Sequence, residues 1–340
     1  MITKSTSTRN LLIQLILLIF VSNSLSSQTG NSSDTIHEIT IFAIPTLHPL
    51  NWESPASLYS SMKDCYIKTI FESDNYLLGH VAVEINSPLL TKPLLIAMRA
   101  ADAQERIDLV LKQKIGFAIM GATLKGRLET ETELIHKFNV YAKRKKMAFI
   151  TYRINEKAAQ RIISFIETYS KKTNNGTAPC DFYGGAFWPR YRNEGAGCSA
   201  FGMALLSTAN LLNSETEEWR ISVKIPMKII GGEYNQNKKI KYSEINKTKE
   251  WYTGEGVENI DYVINRVYEP SVIFDWILKK REQGNSDMKP IEKYGAPGLW
   301  IDCRNIHVPE NEPIFKERNE PSDLFIKHFQ IKTNTAKLNN

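Results

Sequence analysis

The sequence predicts an α+β fold, because strand patterns dominate its early part and helical patterns are interspersed among them. Residues 37–44 and 80–85 are rich in the β-branched and small apolar residues that are typical of strands. Residues 156–172 repeat apolar side chains at helical spacing, and Asn155 before them is a helix-capping residue. The chain has 340 residues and no internal repeat, which fits one large domain or two modest ones.

The other elements follow from local composition. Further strands are predicted at 66–71, 93–100, 115–120, 149–154, 219–230 and 299–303. Helical segments are predicted at 57–62, 103–112, 261–266 and 271–280, and residues 233–250 are expected to form an exposed loop.

The N-terminus has the pattern of a cleaved secretory signal peptide, predicted to span residues 1–27. Lys4 and Arg9 precede an apolar run at 11–21, and a small, polar stretch follows it. That run is too short for a membrane-spanning helix, although an uncleaved anchor stays open as the alternative. We therefore expect a secreted or periplasmic protein with no stable membrane span, and a disordered lead at residues 28–36.

The charge balance does not favour nucleic acid as a partner. Without residues 1–27 the chain has 41 basic and 37 acidic side chains, and the basic ones are scattered. No cysteine pair has the spacing of a zinc site, and we expect no cofactor and no metal. The carboxylates of Glu129, Glu131 and Glu133 could suggest a metal, but a solvated helix face is the favoured interpretation.

Cys198 is the most informative residue. Small residues (Gly195-Ala196-Gly197) lead into it, and the apolar run 203–212 after it reads as a buried helix. The unpaired N–H groups and partial positive charge of a helix N-terminus favour the thiolate, which is the nucleophilic form of cysteine. A disulfide between Cys180 and Cys198 is the competing interpretation, and with a reactive Cys198 we expect one pair and one odd thiol among Cys65, Cys180 and Cys303.

His80 is the candidate general base for this thiol. It follows Gly79 at the start of a predicted strand, where His80, Ala82 and Glu84 share one face. An imidazole has a pKa close to working pH, and a nucleophile paired with a base is the general logic of covalent catalysis.

The order of these motifs resembles that of the circularly permuted papain-like enzymes. It runs from Gly79-His80-Val81 through the strand residues 152–154 and a helix to Gly197-Cys198-Ser199. This NlpC-type superfamily includes permuted bacterial amidases and lecithin retinol acyltransferase-like families, and the resemblance covers about residues 63–212. It implies an antiparallel sheet packed on the cysteine-bearing helix, in a core at residues 37–215.

The resemblance also implies Cys198 as nucleophile and His80 as base. Such families usually take the histidine-orienting residue from the strand after the histidine strand, where this sequence offers only Arg99 as a polar side chain. We therefore expect Glu84 to orient His80, with Asp102 as the next choice.

Oxyanion stabilisation would come from the Cys198 backbone N–H, with a side-chain donor from Asn193 or Tyr183. Trp188 and Tyr191 either line a groove or belong to the core, and core packing is favoured.

These observations predict an exported cysteine hydrolase, an amidase, peptidase or esterase that acts through an acyl-enzyme. Its substrate would be a peptide, cell-wall or lipid amide or ester, and a cleft that excludes water would make it an acyltransferase. The alternative is an exported noncatalytic binding or surface protein with a structural Cys198. Residues 216–330 would extend the same domain or form a second small one, and 331–340 would be a disordered tail.

Overall fold

The computed structural model describes residues 35–69, 78–173, 176–318 and 323–338, and it confirms the α+β class. The chain from Ile36 onward forms one compact unit. The predicted signal peptide at 1–27 lies outside the described residues, as does nearly all of the predicted lead at 28–36. No helix in the described ranges is long and apolar enough to cross a membrane.

Strands form a large mixed sheet and a separate two-stranded sheet. In chain order they are β1 (Glu38–Ile44), β2 (His80–Asn86), β3 (Leu94–Ala100), β4 (Leu124–Glu129), β5 (Ala148–Arg153), β6 (Phe182–Tyr183), β7 (Arg220–Pro226), β8 (Tyr262–Tyr268), β9 (Met288–Lys293) and β10 (Ala296–Asp302). Across the large sheet the order is β6-β4-β3-β2-β1-β5-β10-β9, whereas β7 pairs with β8. Neighbours in the large sheet are antiparallel except β5 and β10, which are parallel.

Helices cover both faces of the large sheet. In chain order, the α-helices of the described residues are α1 (Pro55–Thr69), α2 (Ala103–Ile107), α3 (Glu131–Lys143), α4 (Glu156–Ser170), α5 (Cys198–Thr208), α6 (Ser214–Glu217), α7 (Tyr242–Lys247), α8 (Pro270–Gln283) and α9 (Leu324–Leu338). The strand residues Ile41, Val81 and Val83 share a core cluster with α4, α5 and α8. Alternate positions such as Phe42 and Ala82 share another cluster with α3, as the two-residue period of a strand requires.

Helix α5 lies directly against β2 and β3. Gly202 permits this close approach, because a Cβ at that position would meet Val81 Cγ1 at 3.0 Å. The helix is apolar nearly all round, with buried Phe201, Met203 and Leu205 among its residues, which is the pattern of a central helix. This packing places the N-terminus of α5 near the first residue of β2, which is His80.

Four predicted segments and the tail differ from the structure. The predicted exposed loop at 233–250 contains helix α7, in which Ile245 is buried. The chain at 66–69 continues helix α1, and the rest of that predicted strand lies outside the described residues. Residues 117–120 form a 3₁₀ helix rather than a strand. The predicted helix at 261–266 is strand β8, whose valines and isoleucine favour an extended chain. The predicted tail from 331 is helical to Leu338, since α9 is anchored by buried Phe325, Ile326 and Phe329.

The C-terminal part of the chain contributes to the main sheet. Strands β9 and β10 form a hairpin, and β10 pairs with β5 from Gly298↔Phe149 to Asp302↔Arg153. The two-stranded sheet β7–β8 supplies Val223, Ile225 and Val263 to a separate core cluster that also includes Leu58 of α1. Residues 216–330 therefore extend the unit that contains Cys198 rather than forming a second one.

Candidate active site

Cys198 is the first residue of helix α5, as the sequence predicts. Gly197 is the N-cap and makes no side-chain capping hydrogen bond, so no cap side chain occupies the N–H groups of the first turn. The thiol is half-buried. A nucleophile at this position is accessible and lies in the positive field of a helix N-terminus.

His80 is the first residue of β2, and the sheet is open beside it. Pairing between β2 and β3 covers only Val83↔Ile96 to Ile85↔Leu94, so the first residues of β2 lack a paired strand on that side. The Cys198 thiol lies in this gap, where the His80 side chain and the Val81 backbone N–H both stabilise its thiolate form. The divergence of two strands thus makes room for the thiol against the imidazole.

Glu129 provides the third group of the site. It ends β4 and pairs in register with Ala97 of β3. Its Oε2 lies 2.6 Å from His80 Nε2, with side chains that are 0% and 3% exposed respectively. Arg99 Nη1 donates to Glu129 Oε1 over 3.2 Å, so the carboxylate lies between imidazole and guanidinium. A fully buried carboxylate with two cationic partners is held in one orientation.

The electrostatic environment of Cys198 and His80 favours the charged form of each side chain. Burial opposes ionisation of Cys198, but its hydrogen bond to His80 and the imidazolium charge prevail and lower the pKa of the thiol to about 7. Burial likewise disfavours imidazolium, but the contacts with Cys198 and Glu129 raise the pKa of His80 to about 9. Between these values the thiolate–imidazolium pair is the favoured state.

Tyr183, one of the two predicted oxyanion donors, lies at the thiol. It ends β6, whose pairing of Leu124 with Tyr183 attaches it to β4. Burial, followed by the nearby thiolate charge, raises the pKa of Tyr183, and its hydroxyl lies against the Cys198 side chain and backbone N–H. A neutral phenol therefore lies beside the atom that would attack, with its proton available for donation.

The structure does not bring the predicted orienting residue to His80. The Glu84 carboxylate instead contacts Lys293 Nζ and accepts a hydrogen bond of 2.8 Å from the Tyr294 hydroxyl. The next choice, Asp102, is the exposed N-cap of α2 and accepts from the Gln104 N–H. Both expectations are wrong, because Glu84 is held by Lys293 and Tyr294 from a distant part of the chain, and Asp102 by the first turn of its own helix.

Asn193, the alternative oxyanion donor, is exposed in the turn before Cys198 with a φ of +65°. Its left-handed conformation, which asparagine adopts more readily than most residues, identifies it as a turn former. Of the two candidate donors, only Tyr183 contacts Cys198.

Glu129 is the residue of the candidate site that the sequence did not reveal. The solvated-face interpretation holds for Glu131 and Glu133, which lie in the first turn of α3. It fails for Glu129, because Thr130 is the N-cap of that helix and forms a capping box with Glu133. The Thr-x-x-Glu pattern is readable in the sequence, and it marks residue 129 as lying before the helix.

No disulfide involves Cys180, Cys198 or Cys303, so neither the competing Cys180–Cys198 pairing nor the expected pair among Cys65, Cys180 and Cys303 is formed. Burial raises the pKa of the Cys180 and Cys303 thiols to about 11. Cys65 is buried, and its Sγ contacts the His48 carbonyl at 3.5 Å. Among these cysteines, the lowered pKa distinguishes Cys198.

Trp188 and Tyr191 flank the loop that leads to Cys198. Trp188 packs against the main core, and its ring stacks on Tyr268 with centroids 6.3 Å apart. Tyr191 lies under the guanidinium of Arg318 at 3.9 Å. Both rings therefore pack within the protein, as the favoured interpretation has it.

Comparisons with family models, with curated proteins and with solved structures gave no match to this chain. Within the described ranges, no group of three or more His, Cys, Asp or Glu side chains could hold a metal ion. The site is therefore defined by the geometry of Cys198, His80, Glu129 and Tyr183 alone.

Proposed function

We propose that the chain is a cysteine hydrolase that cleaves an amide or ester through an acyl-enzyme. The observation that carries this proposal is the half-buried thiol hydrogen-bonded to His80, whose other partner is the buried Glu129 carboxylate. A nucleophile, a base and a group that orients the base form the arrangement that covalent catalysis requires.

In the proposed reaction, the Cys198 thiolate attacks the carbonyl carbon of the substrate. His80 Nε2 faces Glu129, which leaves Nδ1 to face the thiol. The imidazolium then donates its proton to the departing amine or alcohol, and a thioester remains on Cys198. Water attacks this thioester while His80 accepts a proton, and the carboxylic acid and the free thiol are released.

The negative oxygen of each tetrahedral intermediate would be stabilised by two donors. These are the Cys198 backbone N–H at the start of α5 and the Tyr183 hydroxyl, which lie against each other. A carbonyl oxygen entering between them would replace that mutual contact with two contacts to the oxyanion. Preorganised donors of this kind are often the largest single contribution to catalysis.

The order of elements supports a circularly permuted papain-like core. The histidine strand β2 precedes the cysteine helix α5, and α5 packs on an antiparallel run of strands that includes β1, β2, β3 and β4. Export remains part of the proposal on the pattern of residues 1–27. Under it, the substrate is a peptide, cell-wall or lipid amide or ester outside the cytoplasm.

Trapping the acyl-enzyme tests the proposal without knowledge of the natural substrate. The protein lacking residues 1–27 is mixed with p-nitrophenyl acetate at pH 8, quenched in acid, digested and analysed by mass spectrometry. We expect a burst of p-nitrophenol and one acetyl group on the peptide that contains Cys198. The Cys198→Ser variant should show no burst, and His80→Ala should acylate far more slowly.

Cys303→Ser is the matched control, since Cys303 is half-buried and follows β10, three strands from the β2 strand of His80, while Cys198 stays intact. It should retain the full burst. Acetylation spread over several cysteines and lysines, with no loss in Cys198→Ser, would contradict the proposal and favour a structural Cys198.

A further inference from the structure

A C-terminal segment, residues 312–318, lies along the loop that precedes Cys198, and we call it the strap. The strap is fixed by main-chain bonds, because Lys316 N–H donates to the Arg190 carbonyl over 2.8 Å and Arg192 N–H donates to the Lys316 carbonyl over 2.9 Å. The buried Arg190 guanidinium adds a bond from Nε to the Ile314 carbonyl over 2.8 Å. The strap is thus a built-in brace rather than a loose chain end.

The last residue of the strap, Arg318, forms a largely buried ion pair. Arg318 donates through Nε and Nη2 to the two carboxylate oxygens of Glu194, over 2.6 and 2.8 Å. The side chains of Arg318 and Glu194 are 16% and 4% exposed. Glu194 Oε2 also accepts from the Trp188 backbone N–H over 3.1 Å. A paired, forked contact of this kind fixes position as well as charge.

Glu194 is connected through the backbone to both Cys198 and Tyr183. It lies four residues before Cys198, and the intervening backbone packs on β6. Ala196 N–H donates to the Phe182 carbonyl over 3.2 Å, and a Cβ at Gly195 would meet that oxygen at 2.0 Å. Phe182 precedes Tyr183. A shift of Glu194 would therefore be passed to the thiol and to the hydroxyl beside it.

We propose that Arg318 is a positioning residue, which acts through Glu194 to hold the Cys198 loop against the strand that carries Tyr183. This inference rests on the proposed function. Without Arg318, the Glu194 carboxylate would be buried and unpaired, and the loop would have to move to hydrate it. The thiol would then lose part of its alignment with His80, and its pKa would rise.

The test measures the rate at which iodoacetamide alkylates Cys198 between pH 5 and 10 in the full mature chain. For Arg318→Ala we expect the apparent pKa of Cys198 to rise by about one unit, which lowers the rate at pH 7 about fivefold. Arg318→Lys, which retains the charge but not the fork, should recover part of the shift. Circular dichroism and thermal unfolding establish that each variant is folded.

Arg192→Ala is the matched control. Arg192 forms the neighbouring ion pair with strap residue Glu317, but these side chains are 57% and 68% exposed. Such surface pairs contribute little, so the alkylation profile should equal that of the wild type.

Should Arg318→Ala fail to fold, the double variant Glu194→Gln/Arg318→Gln replaces it, because no buried charge is then left unpaired. It still lacks the forked ion pair that fixes the loop, so the pKa of Cys198 should rise. A folded Arg318 or double variant with the wild-type profile would overturn the positioning role. A wild-type Cys198 without a lowered pKa would instead refute the proposed function, so the two failures are distinguishable.

Discussion

Glu129→Gln is the variant that most sharply separates a catalytic carboxylate from a structural one. The substitution retains the volume of a side chain that is 0% exposed, but it removes the charge that His80 Nε2 meets at 2.6 Å. A hydrogen bond to a charged group contributes about 1.5–3 kcal/mol, and each 1.36 kcal/mol changes a rate tenfold. We therefore expect acylation by p-nitrophenyl acetate to slow by roughly 10- to 150-fold.

The pH profile should change together with the rate. Glu129 helps to raise the pKa of His80 to about 9, so its loss should lower that pKa and move the alkaline limb of acylation toward neutral pH. The thiolate also loses stabilisation, which moves the acidic limb upward and narrows the profile.

Glu131→Gln is the control for this experiment, because Glu131 is two residues away and 42% exposed, in an ion pair with Lys92. We expect it to leave both limbs and the rate unchanged. A folded Glu129→Gln variant with the wild-type rate and an unmoved alkaline limb would refute the assignment of Glu129 as the orienting group.

Three further outcomes follow from the same geometry. The rate of wild-type acylation should depend on pH in a bell-shaped curve. Activity is lost as the Cys198 thiolate is protonated below about pH 7 and as the His80 imidazolium loses its proton above about pH 9. A rate that stays constant from pH 5 to 10 would contradict this pairing. Tyr183→Phe should lower kcat about 100-fold if the hydroxyl donates to the oxyanion, measured by steady-state kinetics with the Tyr59→Phe variant as an unaffected control. Gly202→Val should destabilise the fold by about 1–3 kcal/mol in urea unfolding, since a Cβ already meets Val81 Cγ1 at 3.0 Å; an unchanged midpoint would argue against close packing of α5 on β2.

The sequence was most informative where a local pattern decides the structure. The α+β class, the helix capped by Asn155 and the placement of Cys198 at a helix N-terminus each depend on neighbouring residues alone. Strand β8 was missed although YVINRVY contains β-branched residues at short intervals, because a brief apolar segment fits either a strand or a helix. Tertiary pairing with β7 decides in favour of the strand.

The third site residue depended on long-range register, which the sequence does not reveal. Glu84 shares a strand face with His80, but the Lys293–Tyr294 turn between β9 and β10 reaches it from a distant part of the chain. Glu129 reaches His80 because β4 lies two strands from β2 and pairs Glu129 with Ala97. Neither arrangement follows from spacing along the chain. Only the helix-capping pattern at Thr130 separated Glu129 from the exposed carboxylates after it.

The central claim is that His80 holds Cys198 as a thiolate near neutral pH. The most direct measurement is the pH dependence of Cys198 alkylation by iodoacetamide, read by mass spectrometry on the peptide that contains Cys198. Below pH 8, Cys198 should be labelled and Cys180 and Cys303 should not, because burial raises the pKa of those two thiols to about 11.

We expect an apparent pKa of about 7 for Cys198 in the wild type. In His80→Ala it should rise to or above the ordinary cysteine value of about 8.5, since burial then acts without the opposing imidazolium. A Cys198 pKa near 8.5 or higher in the wild type, or one that His80→Ala leaves unmoved, would contradict the account.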